Sequence, residues 1–127
     1  MIREYQLSDA ILALCPTAEW TMRGQDYNQI EWFTSSIPMP SLSQLQQKVV
    51  EMNANIPLEL LREERDKKLA ECDWRMTVDY EGSDQEEWKT YRSELRNLPN
   101  RVQSGELTAS YDEKMKLVFN SWPTPPA

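Results

Sequence analysis

The sequence predicts an α+β fold that is mainly helical: a short N-terminal helix and a β-hairpin, then two or three longer helices and an extended, proline-rich C-terminal tail. Three observations support this prediction. Aromatic and β-branched residues alternate with polar ones in two short stretches near the N-terminus, apolar residues recur at helical spacing in the middle, and prolines cluster at the C-terminus. The 127 residues are enough for one modest hydrophobic core.

The N-terminal module, expected over residues 1–37, combines the short helix with the hairpin. Ser8 is expected to be the N-cap of a two-turn helix that Pro16 ends. The alternating stretches 18–22 and 30–34 are expected to be strands, joined by a connection longer than two residues. Because a two-stranded hairpin is marginal in water by itself, it must pack on the helix or on a partner.

The second region, expected over residues 41–99, is helical. Ser41 and Gln44 form a capping-box pattern before a helix expected over about residues 42–53. Pro57 is suited to the start of a further helix, whose apolar face is sparse.

The last predicted helix of this region begins at a second capping-box pair, Ser83 and Glu86, and ends near Pro99. Its apolar residues share one side of the helix. This side either packs against the helix that starts at Pro57 or binds a partner, and the two alternatives are equally supported. The residues on this side are Trp88, Tyr91 and Leu95.

The final segment, residues 100–127, is expected to be irregular and to end in a Trp-Pro tail. A short helix is expected where four apolar residues recur. They are Tyr111, Met115, Val118 and Phe119.

Aromatic side chains are prominent in this polar chain, which has five Trp and five Tyr. Such side chains are enriched at protein interfaces because they combine a large apolar area with a polar tip. Trp20, Trp32, Trp74 and Trp88 lie on patterned elements and are expected in the core. Trp122 lies among prolines, where it gains little unless it docks in a groove of its own domain or of a partner.

The composition argues against nucleic acid, membranes and catalysis. The net charge of −7 repels phosphate backbones and anionic lipid head groups. No secretory signal and no run of about 18 apolar residues is visible, so we expect a soluble, cytoplasmic protein. The chain has no histidine, which removes the commonest general base and metal ligand.

We therefore expect a protein that is not an enzyme, with no catalytic residue, cofactor, metal ion or small-molecule substrate. The carboxylate pairs 63–64 and 86–87 lie in predicted helices rich in Lys and Arg, which favours solvated helix faces over acid–base chemistry. Cys15 and Cys72 have no second ligand at metal-like spacing and are expected to be small buried apolar residues.

Two motifs at fixed spacing span the predicted helices. An Arg-Asp pair precedes an Asp-Trp pair, and the pattern Trp-x-x-Tyr-Arg-x-x-Leu-Arg-x-x-Pro follows after a short linker. This arrangement resembles the phage tail assembly chaperone family. The matching positions are Arg65, Asp66, Asp73, Trp74, Trp88, Tyr91, Arg92, Leu95, Arg96 and Pro99.

The two ends of the chain add to the resemblance. Trp122-Pro123-Thr124-Pro125 is similar to the Trp-Pro-x-x-Pro ending of many members, although Pro125 comes one position early. More residues separate this ending from Pro99 than is usual in the family. The N-terminal stretch 10–32 is similar to the leading module of small phage tail proteins.

The resemblance implies a tail fibre assembly chaperone that binds the tail fibre protein, through the C-terminal region of the fibre, and assists its folding, trimerisation or attachment. It implies action in the host cytoplasm during assembly, with retention on the virion tail as a further outcome. Neither nucleic acid nor membrane is an expected partner. The residues expected to bind the partner are Trp74, Trp88, Tyr91, Arg92, Leu95, Arg96, Trp122, Pro123 and Pro125.

Two other functions fit the same features. A permanent structural subunit of the tail or baseplate would need the same aromatic surface and would likewise lack catalytic residues. An inhibitor of a host protein would fit the small size and acidic charge, but no motif points to it.

Overall fold

The computed structural model describes residues 2–127 and has an α+β fold, with four α-helices and two small antiparallel strand pairs in this range. The chain divides into two compact units, Arg3–Asn55 and Ile56–Ala127. This division differs from the segments expected from the sequence, 1–37, 41–99 and 100–127. The reason is that the helix after the hairpin packs with the N-terminal module, while the last segment packs with the two longest helices.

The first helix, α1 (Leu7–Leu14), begins earlier than its sequence indicated. Gln6 is its N-cap, so the prediction of Ser8 at this position is wrong. The backbone N–H of Gln6 donates to Asp9 Oδ2 at 2.8 Å, and this carboxylate also pairs with Arg3 at 2.8 Å. Asp9 thus organises the first turn, while the backbone N–H of Ser8 donates to Gln25 Oε1 at 3.0 Å.

The predicted hairpin is confirmed as β1 (Trp20–Met22) paired with β2 (Ile30–Trp32), with Trp20 opposite Trp32. Its connection contains a 3-10 turn at Tyr27–Gln29, which makes it longer than two residues, as predicted. One face of the hairpin packs against the small core of this unit. The fully buried residues of that core are Ala10, Ile11 and Leu45.

The second helix, α2 (Leu42–Ala54), starts with the predicted capping box. The N–H of Ser41 donates to Gln44 Oε1 at 2.8 Å, and the N–H of Gln44 donates to Ser41 Oγ at 3.2 Å. Leu45 buries this helix against α1 and the hairpin, so the hairpin has the support that its size requires.

The second unit contains α3 (Ile56–Cys72), a 3-10 turn (Asp73–Met76) and α4 (Gln85–Gln103). The two helices pack against each other, and their apolar residues form the core of this unit. The buried members are Leu58, Leu61, Cys72, Trp88, Tyr91, Leu95 and Leu98.

Both predicted ends of α4 are wrong. Its N-cap is Asp84, one residue after the expected Ser83, and the capping box of Ser83 and Glu86 is not formed. The Asp84 carboxylate accepts hydrogen bonds from the side chains of Tyr80 and Trp88. At the other end the helix continues through Pro99 to Gln103. A proline removes one hydrogen bond of the helical ladder, and we attribute the continuation to the burial of Leu98 and Pro99 in the core.

The predicted short helix near the C-terminus is also wrong, because residues 110–118 form a hairpin of β3 (Ser110–Tyr111) and β4 (Leu117–Val118). Local turn chemistry explains the difference. The Asp112 carboxylate accepts the backbone N–H groups of Lys114 and Lys116, each at 2.9 Å, and Met115 has a left-handed φ of 61°. The region is therefore less irregular than its composition indicated, although residues 119–127 have no helix or strand.

Across residues 2–127, no helix is both long enough and apolar enough to span a membrane. The same part of the chain has no group of three or more His, Cys, Asp or Glu side chains arranged to hold a metal ion.

Candidate functional site

A buried arginine connects the two long helices of the second unit. Arg92, on α4, points at the end of α3, where its Nη2 lies 2.7 Å from Asp73 Oδ1. Its Nη1 donates to the carbonyl of Leu69 at 2.8 Å and to the Sγ of Cys72 at 3.1 Å. Arg92 therefore satisfies a carbonyl in the last turn of α3 and fixes the chain where that helix ends.

The surroundings of Arg92 favour its charged form. Burial, the largest single effect, lowers the pKa of the guanidinium, but the hydrogen bonds and electrostatic attraction to Cys72 and Asp73 together outweigh it, so the net shift of the pKa is upward. Among the described residues, Nε of Arg92 is the one buried side-chain nitrogen or oxygen without a hydrogen-bond partner. Its two terminal nitrogens therefore make the connection between the helices.

Two residues after Asp73, an arginine contacts two tryptophan rings. The Cζ of Arg75 lies 4.3 Å from the ring centre of Trp74 and 4.0 Å from that of Trp88. Cations over indole faces are attracted by the ring quadrupole, and Arg is the residue that most often makes this contact. Arg75 thus joins Trp74, which lies in the 3-10 turn, to the buried Trp88 of α4.

A hydrogen-bond network holds the loop that follows. Tyr80 Oη donates to Asp84 Oδ1, the Trp88 Nε1–H donates to Asp84 Oδ2 at 3.0 Å, and Arg75 Nη1 donates to Tyr80 Oη at 3.0 Å. The Tyr80 hydroxyl, followed by the Trp88 indole, lowers the pKa of the Asp84 carboxyl despite some desolvation. The bond to Asp84 and desolvation raise the pKa of Tyr80. The loop is therefore tied to α4 through ionised Asp84.

Gly82 fits this loop because the Tyr80 phenol lies against its backbone. A Cβ at position 82 would overlap the hydroxyl and ring atoms of Tyr80. The absence of a side chain at Gly82 therefore lets Tyr80 reach Asp84.

The loop leaves one tryptophan exposed. The relative exposure of Trp74 is 56%, so the expectation that it lies in the core is wrong, whereas Trp88 is buried and Trp20 and Trp32 are half-buried. Val78 is fully exposed nearby in sequence. Trp74 borders a shallow groove of about 430 Å³. Its other lining residues are Thr77, Asp79, Tyr80, Glu81 and Gly82.

The structure separates the other sequence-predicted residues of α4. Trp88, Tyr91 and Leu95 are buried against α3, so of the two alternatives for this face, packing within the chain is the one observed. The rings of Trp88 and Tyr91 pack edge to face with centres 5.5 Å apart. Arg96 lies instead on the exposed side of α4, where it lines a polar depression with Asn97 and Asn100 among others.

The C-terminal tryptophan docks on its own unit. Trp122 is half-buried and packs against the core, with its ring centre 5.0 Å from that of Phe119 in an edge-to-face arrangement. Lys68 Nζ lies 4.9 Å from the Trp122 ring centre. Of the adjacent prolines, Pro123 is half-buried and Pro125 is exposed. The Trp-Pro tail therefore packs against α3, through Trp122. It does not line the Trp74 groove.

Four residues of this region were not predicted from the sequence: Arg75, Tyr80, Asp84 and the exposed Val78. One signal was available, since Asp84 and Trp88 are four residues apart at the start of a helix, where an aspartate can accept from the indole. The contacts of Arg75 have no comparable signal, because they depend on how the 3-10 turn meets α4.

The family model described as phage tail assembly chaperone protein matches residues 58–127, more than half of the chain. No curated protein and no solved structure matches the chain. The matched range contains the Arg92–Asp73 pair, the Trp74 groove and the docked Trp122. The chain therefore belongs to the phage tail assembly chaperone family.

Proposed function

We propose that this tail assembly chaperone acts on the tail fibre protein, binding the C-terminal region of the fibre and assisting its folding, trimerisation or attachment. In this proposal it works in the host cytoplasm during assembly, by binding alone and without catalysing a reaction. The family match supports the coarser role, a chaperone that interacts with phage tail proteins.

The need for such a chaperone follows from how fibres assemble. A trimeric fibre buries its apolar surface only after three chains meet in register, and until then that surface is prone to aggregation. A small protein that covers the surface during this interval would keep the fibre chains soluble and then be displaced or remain attached.

One observation carries the proposal: Trp74 is exposed yet held in place. Its ring is contacted by Arg75 and packs edge to face on Tyr80, with ring centres 5.5 Å apart. An ordered aromatic side chain loses little conformational freedom when it binds, which is why preorganised tryptophans are frequent interface hot spots. This makes Trp74 the best-placed partner-binding residue of those expected from the sequence.

The buried motif residues Arg92 and Trp88 hold the residues on either side of Trp74 and do not contact the partner themselves. Arg92 holds Asp73, the residue before Trp74, and Trp88 contacts Arg75, the residue after it. Trp88 and Arg92 are therefore proposed as positioning residues. This assignment explains how a motif split between two helices can serve one exposed side chain.

Co-expression tests the proposal, with the soluble yield of fibre protein as the readout. We expect soluble fibre with the wild-type chain, much less with Trp74→Ala, and a wild-type yield with Phe33→Ala. Phe33 is a matched control because its relative exposure is 57%, against 56% for Trp74. Equal fibre solubility with and without the chain would overturn the proposal.

A second measurement addresses the fate of the chain. Mass spectrometry of purified virions detects the chain in stoichiometric amount if it is a permanent structural subunit of the tail or baseplate. Its absence from virions, together with a positive co-expression result, identifies a chaperone that is released.

A further inference from the structure

The groove beside Trp74 is bordered by uncompensated negative charge. Asp79 and Glu81 line it, both are exposed, and in the described chain neither carboxylate has a hydrogen-bond or ion-pair partner. No lining residue is cationic. A site with an exposed indole and two free carboxylates is complementary to a segment that is apolar and positively charged.

The neighbouring charges do not neutralise this site. Residues 73–87 carry six carboxylates and one cation, Arg75. The guanidinium of Arg75 lies against the rings of Trp74 and Trp88 and donates a hydrogen bond to Tyr80. Three of the six carboxylates have partners: Asp73 with Arg92, Asp84 with Tyr80 and Trp88, and Glu86 with Lys89. Of the remaining three, Asp79 and Glu81 border the groove and Glu87 does not.

We propose that the Trp74 groove binds a segment of the fibre protein in which a Lys or Arg is adjacent to an aliphatic residue. The aliphatic side chain packs on the exposed indole of Trp74, and the cation lies between the carboxylates of Asp79 and Glu81. The proposal rests on the proposed function, since it takes the fibre protein as the source of the segment. It adds the chemistry that selects the segment.

The two parts of the site should contribute differently. An aromatic anchor at the centre of an interface typically carries a large share of the affinity, so Trp74→Ala should raise the Kd about 30-fold. Exposed carboxylates contribute less and act mainly through steering, so neutralising both should raise the Kd about fivefold and weaken its dependence on ionic strength.

The test measures the Kd of the full-length chain for purified tail fibre protein at low and high ionic strength. The groove variants are Trp74→Ala and the double variant Asp79→Asn with Glu81→Gln. The matched control is Glu19→Gln with Glu31→Gln, which removes the same charge from exposed positions of the other unit. Unchanged thermal unfolding of the double variant shows that the groove is intact.

The expected result is weaker binding by both groove variants, a flatter ionic-strength dependence for the double variant, and wild-type behaviour of the control. If Trp74→Ala weakens binding while the double variant matches the control in Kd and ionic-strength dependence, the charge-selective groove is overturned and the proposed function stands. If the wild-type chain does not bind the fibre at all, the proposed function is overturned, and this inference with it.

Discussion

Arg92 and Asp73 form an ion pair with a 2.7 Å distance between Nη2 and Oδ1, in which the arginine side chain is 9% exposed and the aspartate 63%. The pair joins the two parts of the motif that the sequence separates by about twenty residues. Because Asp73 directly precedes Trp74, the same ion pair also fixes the backbone position from which the exposed indole projects. This one interaction therefore contributes both to the stability of the unit and to the placement of its candidate binding residue.

Replacing Arg92 should destabilise the protein. Arg92→Ala removes hydrogen bonds to Leu69, Cys72 and Asp73 and should lower the free energy of unfolding by about 1.5–3 kcal/mol, the range for hydrogen bonds to charged groups. Arg92→Lys should recover only part of this, since an ammonium lacks the planar fork that reaches both acceptors. Urea unfolding measures the effect, with the exposed Arg96→Ala as control. Equal stability of the Arg92 and Arg96 alanine variants would contradict the role of Arg92.

Asp84 should make the second unit sensitive to acid. Its pKa lies below the ordinary value of 3.8 in the folded state, so its stabilising contribution is complete above that pH and disappears as the pH falls through the lowered pKa. Asp84→Asn should be less stable than wild type at neutral pH, and the difference should shrink in acid. Thermal unfolding of both proteins over this range tests the prediction.

The comparison between the two proteins is needed because Asp9 also has a lowered pKa, owing first to its hydrogen bond with Arg3. Both proteins retain that source of acid sensitivity. A difference between them that does not change with pH would show that Asp84 stabilises the loop without its charge.

Gly82→Ala should destabilise the loop, because the new methyl group would overlap the Tyr80 phenol. Crowding of this kind typically costs about 1–3 kcal/mol. If the overlap is the cause, Tyr80→Ala should remove most of the cost, so a double-mutant cycle over positions 80 and 82 should show strong coupling. Additive effects of the two substitutions would locate the cost elsewhere.

Trp122→Ala should lower the free energy of unfolding by about 1–2 kcal/mol, since the ring is half-buried against Phe119 and the α3 side chains. Pro125→Ala, at an exposed position of the same tail, should leave stability unchanged. Chemical denaturation measures both variants. Wild-type stability of Trp122→Ala would mean that the tail is not part of the core in solution.

Elements with local signals were predicted well. The capping box of Ser41 and Gln44 and the alternating strands of the first hairpin involve neighbours in sequence, and both are present in the structure. The errors have several causes. At the start of α4 the Asp84 carboxylate accepts from Tyr80 and Trp88 where a Ser83–Glu86 capping box was expected, and at its end the buried Pro99 stays within the helix. Near the C-terminus, the Asp112 carboxylate accepts backbone N–H groups and forms a turn where a short helix was expected.

By itself, the sequence determined which residues share a helix face and which motif they form, since helical periodicity and motif spacing are local properties. It did not determine which way each aromatic residue faces. Trp74 was expected inside and is exposed, while Trp122 was left open between its own domain and a partner and docks on its own unit. Only the tertiary structure decided this, because the exposure of a side chain depends on what the rest of the chain places beside it: Arg75 and Tyr80 around Trp74, and Phe119 and Lys68 around Trp122.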